Sequence, residues 1–299
     1  MAPTIINPNA LRSLDIPKSP NAAMLLAAKR ALSEAGPDVL RTAARGLLIS
    51  RSSLAVTADA QKITLGAIAA YIVVIAILWP LPKFLGGFDV LWPFKMLVIA
   101  FHESGHALCA MLTGGKVESV SLSPDQGGKT TFRGGKKFIT LPAGYLGSSL
   151  IGALLTFCGF NIVASKIASL VVGPVFLLLI WWGRKDWLTI LTVLAAAGLL
   201  VAGWFIADAE ALRYIILFIG VMSSLYSVWD IYDDLIRRKV NESDASKFAE
   251  EYGGSSHCWG VIWAIISLCF MAAGIVAGIA AFPQTTAEQQ EDSDDFIPT

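Results

Sequence analysis

The sequence predicts an all-α polytopic membrane protein with about seven transmembrane helices and a small cytoplasmic β-hairpin insertion. A high apolar content, a low charge content and a series of long apolar segments favour this fold class. Of the 299 residues, 55% are hydrophobic and only 15% are charged, whereas an ordinary soluble domain carries about 25% charged residues. The 23 basic and 23 acidic residues cancel to a net charge of zero, which offers no basic field for nucleic acid. The expected surroundings are therefore the lipid bilayer and not nucleic acid.

Seven apolar segments approach the length needed to cross a bilayer core about 30 Å thick, which is about 20 residues of helix. They are 63–81, 91–113, 142–162, 167–182, 187–206, 214–236 and 259–282. The fourth is the shortest. Tryptophans lie near most of the predicted ends, as interfacial aromatic residues do. The sequence therefore predicts an integral multi-pass protein.

These segments divide the chain into three regions. Residues 63–282 are expected to form a transmembrane domain, with its core over 91–236. Residues 1–62 are mixed and polar, and they predict a cytoplasmic N-terminal tail that is partly amphipathic. Residues 283–299 carry five acids and no base between 288 and 295, which predicts an acidic disordered tail.

The distribution of Lys and Arg predicts the orientation in the membrane. With a cytoplasmic N-terminus and every segment crossing, 19 of the 23 basic residues fall on the cytoplasmic side. The positive-inside rule favours that arrangement. The acidic C-terminal tail is then expected on the opposite side.

Residues 116–141 are the one polar insertion without a helical pattern. Residues 116–122 are rich in β-forming residues and roughly alternate, and 124–128 contain a Pro-Asp and Gly-Gly turn signal. We interpret the insertion as a small β-hairpin at the cytoplasmic face. A plain connecting loop is the alternative.

The second apolar segment contains the pattern His-Glu-Ser-Gly-His over residues 102–106. On a helix, His102 and His106 lie on one face, so that both imidazoles can bind one metal ion. Glu103 can then act as the general base toward water at that ion, and zinc suits imidazole ligands. Ionisable side chains inside a membrane segment are costly and mark functional sites. A polar contact between helices is the structural alternative.

A catalytic zinc ion normally has three protein ligands, so a third is expected at the same depth as the histidines. His106 lies seven residues before the end of its apolar segment, and Asp230 lies seven residues before Arg237. Both are then about 10 Å from the cytoplasmic end, at about 1.5 Å per residue. Asp230 is therefore the predicted third ligand. Asp233 and Asp234, on the same helical face, are the alternatives.

Small residues recur every fourth position at the start of the third apolar segment. Gly144, Ser148 and Gly152 form this stripe, which allows close approach of another helix. We expect the stripe to serve helix packing or to line a substrate path beside the histidine-bearing segment.

These residues resemble the site-2 protease family of intramembrane zinc metallopeptidases, and most of all its poorly characterised membrane-peptidase-like branch. The resemblance is carried by 102–106, the Thr-Gly-Gly turn at 113–115, the β-like insertion, 142–147 and 229–234. It implies that His102 and His106 are zinc ligands, that Glu103 is the catalytic base, and that Asp230 matches the aspartate ligand approximately.

The favoured function is a zinc-dependent intramembrane endopeptidase that cleaves a membrane-embedded substrate helix with activated water. The insertion would hold the unwound substrate by strand addition. Two alternatives remain open at this point. One is a catalytically inactive scaffold or chaperone that retains the metal site, and the other is a metal transporter.

Overall fold

The computed structural model describes residues 56, 58–80, 89–125, 127–237 and 243–298, with the backbone alone described over 233–237. The expected N-terminal tail over 1–62 lies almost entirely outside these residues. The part of the chain that is described is mostly helical, with one antiparallel two-stranded sheet. In chain order, its elements are α1 (Asp59–Leu78), α2 (Trp92–Leu112), β1 (Lys116–Ser123), β2 (Gly127–Arg133), α3 (Lys137–Thr140), α4 (Ala143–Cys158), α5 (Ile162–Trp182), α6 (Trp187–Trp204), α7 (Glu210–Arg237), α8 (Asp244–Tyr252), α9 (Ser256–Ala281) and α10 (Thr286–Phe296).

Each of the seven apolar segments forms a helix, but the count of seven spans is not confirmed. Five helices are long and apolar enough to cross a membrane: α1, α5, α6, α9 and the Glu210–Tyr232 part of α7. Helix α4 has only 16 residues and is about 24 Å long at about 1.5 Å per residue, short of a bilayer core about 30 Å thick. Helix α2 is continuous, but its apolar sequence is interrupted by the polar side chains of Lys95, His102, Glu103 and His106. The several apolar helices support an integral membrane protein.

Helix α4 lies at the centre and packs against α2, α7 and α9. A Cβ atom on Gly152 would come within 2.8 Å of the Gly220 carbonyl oxygen of α7. The Ser223 hydroxyl of α7 donates a hydrogen bond to the Ser148 carbonyl oxygen at 2.8 Å. Gly144 instead faces the histidines of α2. The small-residue stripe therefore packs on α7 over most of its length and meets α2 only at its first glycine.

Helices α1 and α2 run in the same direction, which differs from the alternating crossings expected. Tyr71 of α1 and Phe94 of α2 both contact Phe218 of α7, and Trp79 and His102, eight residues further along each helix, both contact Tyr226. Two successive helices that both run parallel to α7 cannot be consecutive antiparallel crossings.

The start of α1 also lies beside the end of α9. The Gln61 amide donates hydrogen bonds to the carbonyl oxygens of Ile279 and Phe282, at 2.8 and 3.0 Å. Seven alternating crossings would place these two ends on opposite sides of the membrane. The distribution of basic residues obtained from alternating crossings therefore does not apply to this fold.

The acidic C-terminal segment was expected to be disordered, but residues 286–296 form helix α10. The Thr285 side chain accepts a hydrogen bond from the Glu288 amide, and the Glu288 side chain accepts one from the Thr285 amide. This capping box satisfies two otherwise free N–H groups at the helix start. At the other end, Lys166 of α5 donates hydrogen bonds to the Ser293 and Ile297 carbonyl oxygens, at 3.1 and 2.5 Å. The capping box and the buried Lys166 therefore order a segment that composition alone predicts to be disordered.

The insertion forms the expected two-stranded sheet, in which β1 and β2 are antiparallel with a bulge between Val117 and Ser119. The hairpin folds back along α2: the Trp92 indole N–H, at the start of that helix, donates to the carbonyl oxygen of Pro124 in the hairpin turn at 3.1 Å. Strand β1 also contacts α5 and α6. The hairpin therefore lies alongside α2 rather than beyond its end. After the hairpin, the insertion contains the short helix α3.

Candidate metal centre

Helix α2 carries the His-Glu-Ser-Gly-His sequence on a buried face. Pro93 stands in the first turn, where a missing N–H costs nothing, and the helix ends before Gly114, whose φ of +86° suits glycine. His102 and His106 are 6% and 7% exposed. Their Nε2 atoms lie 3.1 Å apart, so the four-residue spacing brings both imidazoles to one point.

The third group at this point is Asp244, the first residue of α8. Its Oδ2 lies 3.0 Å from Nε2 of His102 and 2.9 Å from Nε2 of His106. Among the described residues, these three form a group of side chains whose donor atoms all lie within 4.8 Å of one another. Two imidazoles and one carboxylate match the donor set of a catalytic zinc site with an open fourth position.

The spacing of these donor atoms also fits a zinc ion. Tetrahedral ligands about 2.0–2.2 Å from zinc are themselves about 3.3–3.6 Å apart, which is about 0.2–0.7 Å more than the distances observed here. Gly144 of α4 leaves space beside the two nitrogens, since a Cβ atom there would lie 2.4 Å from Nε2 of both His102 and His106. Only a glycine permits α4 to pass this close to the two nitrogens.

Hydrogen bonding sets the tautomer of His106. Its Nδ1 lies 2.7 Å from the Thr140 carbonyl oxygen. Because a carbonyl oxygen only accepts, Nδ1 carries the hydrogen, and the neutral ring then presents the lone pair of Nε2 to the group. Nδ1 of His102 is buried and has no hydrogen-bond partner among the described residues. Two nitrogen lone pairs and a carboxylate in mutual contact need a positive charge among them, which either a proton or a metal ion can supply.

The charge of Asp244 is matched by its neighbours. Burial alone would raise the pKa of this carboxyl, but the facing His106 and His102 outweigh burial and hold its pKa well below the usual range. Helix α8 begins with a Ser243 cap. Phe248 then anchors the helix in a small apolar cluster against Tyr145 and Trp263. Asp244 is therefore delivered as a carboxylate by a short helix with its own hydrophobic support.

The Glu103 carboxylate contacts the hairpin and is not one of the three clustered donors. Its side chain belongs to a residue 5% exposed, and its Oε2 accepts a hydrogen bond of 2.6 Å from the Thr130 hydroxyl of β2. A Cβ atom on Gly128 of the same strand would lie 2.4 Å from the Glu103 Oε1. Glu103 thus follows His102 in the chain, and its carboxylate is held against strand β2.

The structure does not bring Asp230 into this group. Its Oδ2 accepts a hydrogen bond of 2.7 Å from the Tyr145 hydroxyl, and Asp244 stands beside the two histidines where Asp230 was predicted. Asp230 has the depth of His106 on a helix that packs beside α2, whereas Asp244 lies on α8, after the chain has left α7. Asp233 and Asp234 lie in the last turns of α7, and their side chains lie outside the described residues.

One sequence signal for Asp244 was present. Residues 243–252 begin with Ser-Asp and carry apolar residues at helical spacing, which is typical of a capped amphipathic helix. Such a helix, directly after a spanning segment, offers a carboxylate at its first turn. The sequence does not show that this turn reaches the histidines.

Comparison with known proteins agrees with this site. A family model described as Peptidase M50B-like matches residues 68–274, which include α2, the hairpin, α4 and α8. No curated protein and no solved structure matches the chain. The matched stretch covers more than half of the chain and all three clustered donors. The chain therefore belongs to the Peptidase M50B-like family, which confirms its resemblance to the site-2 protease-like metallopeptidases.

Proposed function

We propose that this protein is a zinc-dependent endopeptidase that cleaves a substrate segment within the membrane. The observation that carries the proposal is the convergence of Nε2 of His102, Nε2 of His106 and Oδ2 of Asp244 within about 3 Å of one another, next to a buried glutamate. These three side chains would hold the metal. A zinc ion bound there supplies Lewis acidity toward a carbonyl oxygen and lowers the pKa of water.

Glu103 is the proposed general base. It takes a proton from the water that attacks the scissile carbonyl carbon and returns a proton to the leaving amine when the C–N bond breaks. The Thr130 hydroxyl, 2.6 Å from Oε2, keeps one carboxylate oxygen in place. The other, Oε1, is the oxygen beside which Gly128 leaves space. Proton transfer therefore falls to the Oε1 side.

Strand β2 is the proposed substrate-binding edge. The sheet has two strands, both of which contact α2, and β1 also contacts α5 and α6. The edge of β2 away from β1 makes no backbone hydrogen bond to another described element. A free strand edge pairs with an extended peptide through its backbone groups. A substrate helix would have to unwind to pair in this way, which would also expose its carbonyl groups beside Glu103.

Purified full-length protein in proteoliposomes tests the proposal. We expect one zinc per chain by elemental analysis, and cleavage of a co-reconstituted single-pass model substrate whose transmembrane helix contains Gly and Pro. Glu103→Gln should retain zinc and lose cleavage by about 10²–10⁴-fold, as expected for loss of a general base. Full cleavage by Glu103→Gln would refute the mechanism.

The same preparation distinguishes the two other functions. A metal-retaining scaffold or chaperone would bind zinc without cleaving the substrate, and Glu103→Gln would not alter its behaviour. A transporter would move zinc into the vesicles in a way that depends on His102 and His106 but not on Glu103. Either outcome would replace the peptidase proposal.

A further inference from the structure

Tyr145 of α4 connects the metal-binding group to a carboxylate outside it. The side chain is 2% exposed. Its hydroxyl donates a hydrogen bond of 2.7 Å to Oδ2 of Asp230 on α7. Its ring meets the ring of His102 edge to face, with centroids 4.8 Å apart and planes at 78°. One residue thus contacts a proposed metal ligand with its ring and a second helix with its hydroxyl.

The same ring supports the helix that carries Asp244. Tyr145 belongs to the apolar cluster that includes Ala245 and Phe248 of α8. Trp263 of α9 closes this cluster, with its ring centroid 5.7 Å from Tyr145 and 5.5 Å from Phe248. Tyr145 therefore lies between the imidazole of His102 and the first turn of α8. Its ring therefore affects the positions of two of the three donor atoms, Nε2 of His102 and Oδ2 of Asp244.

The two histidines are held in different ways. His106 has the hydrogen bond from Nδ1 to Thr140, the usual outer partner of a metal-binding imidazole. Nδ1 of His102 is buried without a hydrogen-bond partner among the described residues. The orientation of the His102 ring therefore depends on packing, and the rings of Tyr145 and Tyr226 lie 4.8 and 5.6 Å from it.

We infer that Tyr145 and Asp230 form a positioning pair that orients His102 and docks α8 for metal binding. The inference rests on the proposed function. The hydroxyl oxygen lies on the long axis of the Tyr145 ring, so a charge-assisted hydrogen bond to a carboxylate fixes where that axis points and therefore where the ring meets His102. Asp230 thus acts on the metal through Tyr145, without being a ligand. Asp230, which the sequence predicts to lie at the depth of His106, thus has a role outside the metal-binding group.

Zinc affinity of the full-length protein in detergent, measured by competition with a chromophoric chelator, tests the pair. Tyr145→Phe keeps the ring and removes the hydroxyl, and Asp230→Ala removes the acceptor. We expect each to weaken zinc binding by about 10–100-fold, the usual effect of removing an outer partner of a metal ligand. Asp230→Asn retains an acceptor oxygen and should lose much less.

The double variant Tyr145→Phe, Asp230→Ala should bind zinc no more weakly than either single variant, because both remove the same hydrogen bond. Tyr252→Phe is the matched control, since this tyrosine packs on Phe248 through its ring and lies at the far end of α8. Its zinc affinity should equal that of the wild type. The absorption bands of the cobalt-substituted protein should shift in Tyr145→Phe and not in Tyr252→Phe, because they report ligand geometry.

A different pattern would overturn the inference. If Asp230→Asn lost zinc as completely as Asp230→Ala while Tyr145→Phe kept it, Asp230 would be a direct ligand. If Tyr145→Phe and Asp230→Ala both bound zinc like the wild type, the pair would have no positioning role. In that case, loss of zinc in Asp244→Ala would still uphold the proposed metal site. Thermal unfolding of each metal-free variant checks that it folds. If Tyr145→Phe does not fold, the zinc affinities of Asp230→Asn and Asp230→Ala are compared instead, and equal affinities would overturn the inference.

Discussion

Oδ2 of Asp244 lies 3.0 Å from Nε2 of His102, although 142 residues separate them in the chain. The intervening chain includes the hairpin and helices α3 to α7. The contact is made by a nine-residue helix that starts at Asp244 and is anchored by Phe248. A metal ion at this contact would link α2 to α8.

Asp244→Ala should abolish stoichiometric zinc binding. The change removes one of three donor atoms, so the loss of affinity should exceed the roughly 10–100-fold cost of changing an outer partner. Elemental analysis of the purified protein measures it. Glu250→Ala, at an exposed position of the same helix, is the control and should keep its zinc. Retention of zinc by Asp244→Ala would rule out this aspartate as a ligand.

Gly144→Ala should lose the metal without losing the fold. The new Cβ atom would lie 2.4 Å from Nε2 of both histidines, so the imidazoles must move apart. Alanine is otherwise the better helix former by about 1 kcal/mol. Zinc affinity and thermal unfolding of the metal-free protein separate the two effects. Gly173→Ala in α5, where nothing lies within 4 Å of the new atom, should bind zinc normally.

Gly128→Ala should impair turnover and spare metal binding. The added Cβ atom would lie 2.4 Å from Oε1 of Glu103, and the flexible carboxylate would swing away from its position. Cleavage of the model substrate should fall, by up to the 10²–10⁴-fold expected for a displaced general base. At Gly127 the nearest atom to a new Cβ is Cβ of Ser123 at 3.8 Å. Equal activity of the Gly127→Ala and Gly128→Ala variants would contradict the assigned role of Glu103.

Gln289→Ala should destabilise the end of the bundle that α10 covers. The buried Gln289 amide donates to the Phe160 carbonyl oxygen at 3.0 Å and accepts from Arg213 at 3.1 Å. Leaving such buried groups without partners costs about 1–3 kcal/mol. The thermal unfolding temperature in detergent should fall, whereas exposed Glu291→Ala on the same helix should leave it unchanged. An unchanged temperature for Gln289→Ala would mean that α10 contributes little to the fold.

Sequence reasoning identified the helices but not their arrangement. Hydropathy and segment length predicted all seven long helices, because burial in lipid requires continuous apolar runs. The hairpin was also predicted, since alternation and turn residues are local signals. The parallel course of α1 and α2 was not predicted. Alternation assumes that each apolar segment crosses fully, and nothing local in residues 63–113 shows otherwise.

The histidines of the candidate metal site could be predicted from the sequence, whereas the aspartate could not. The sequence alone predicted that His102 and His106 lie together, because the repeat of the α-helix turns a four-residue spacing into a common face. Only the tertiary structure shows that Asp244, and not Asp230, contacts these histidines. Docking of α8 by Phe248 brings one carboxylate to the histidines, while the Tyr145 hydroxyl holds the other. Contacts within one helix follow from its period, whereas a contact across 142 residues depends on how every intervening element packs.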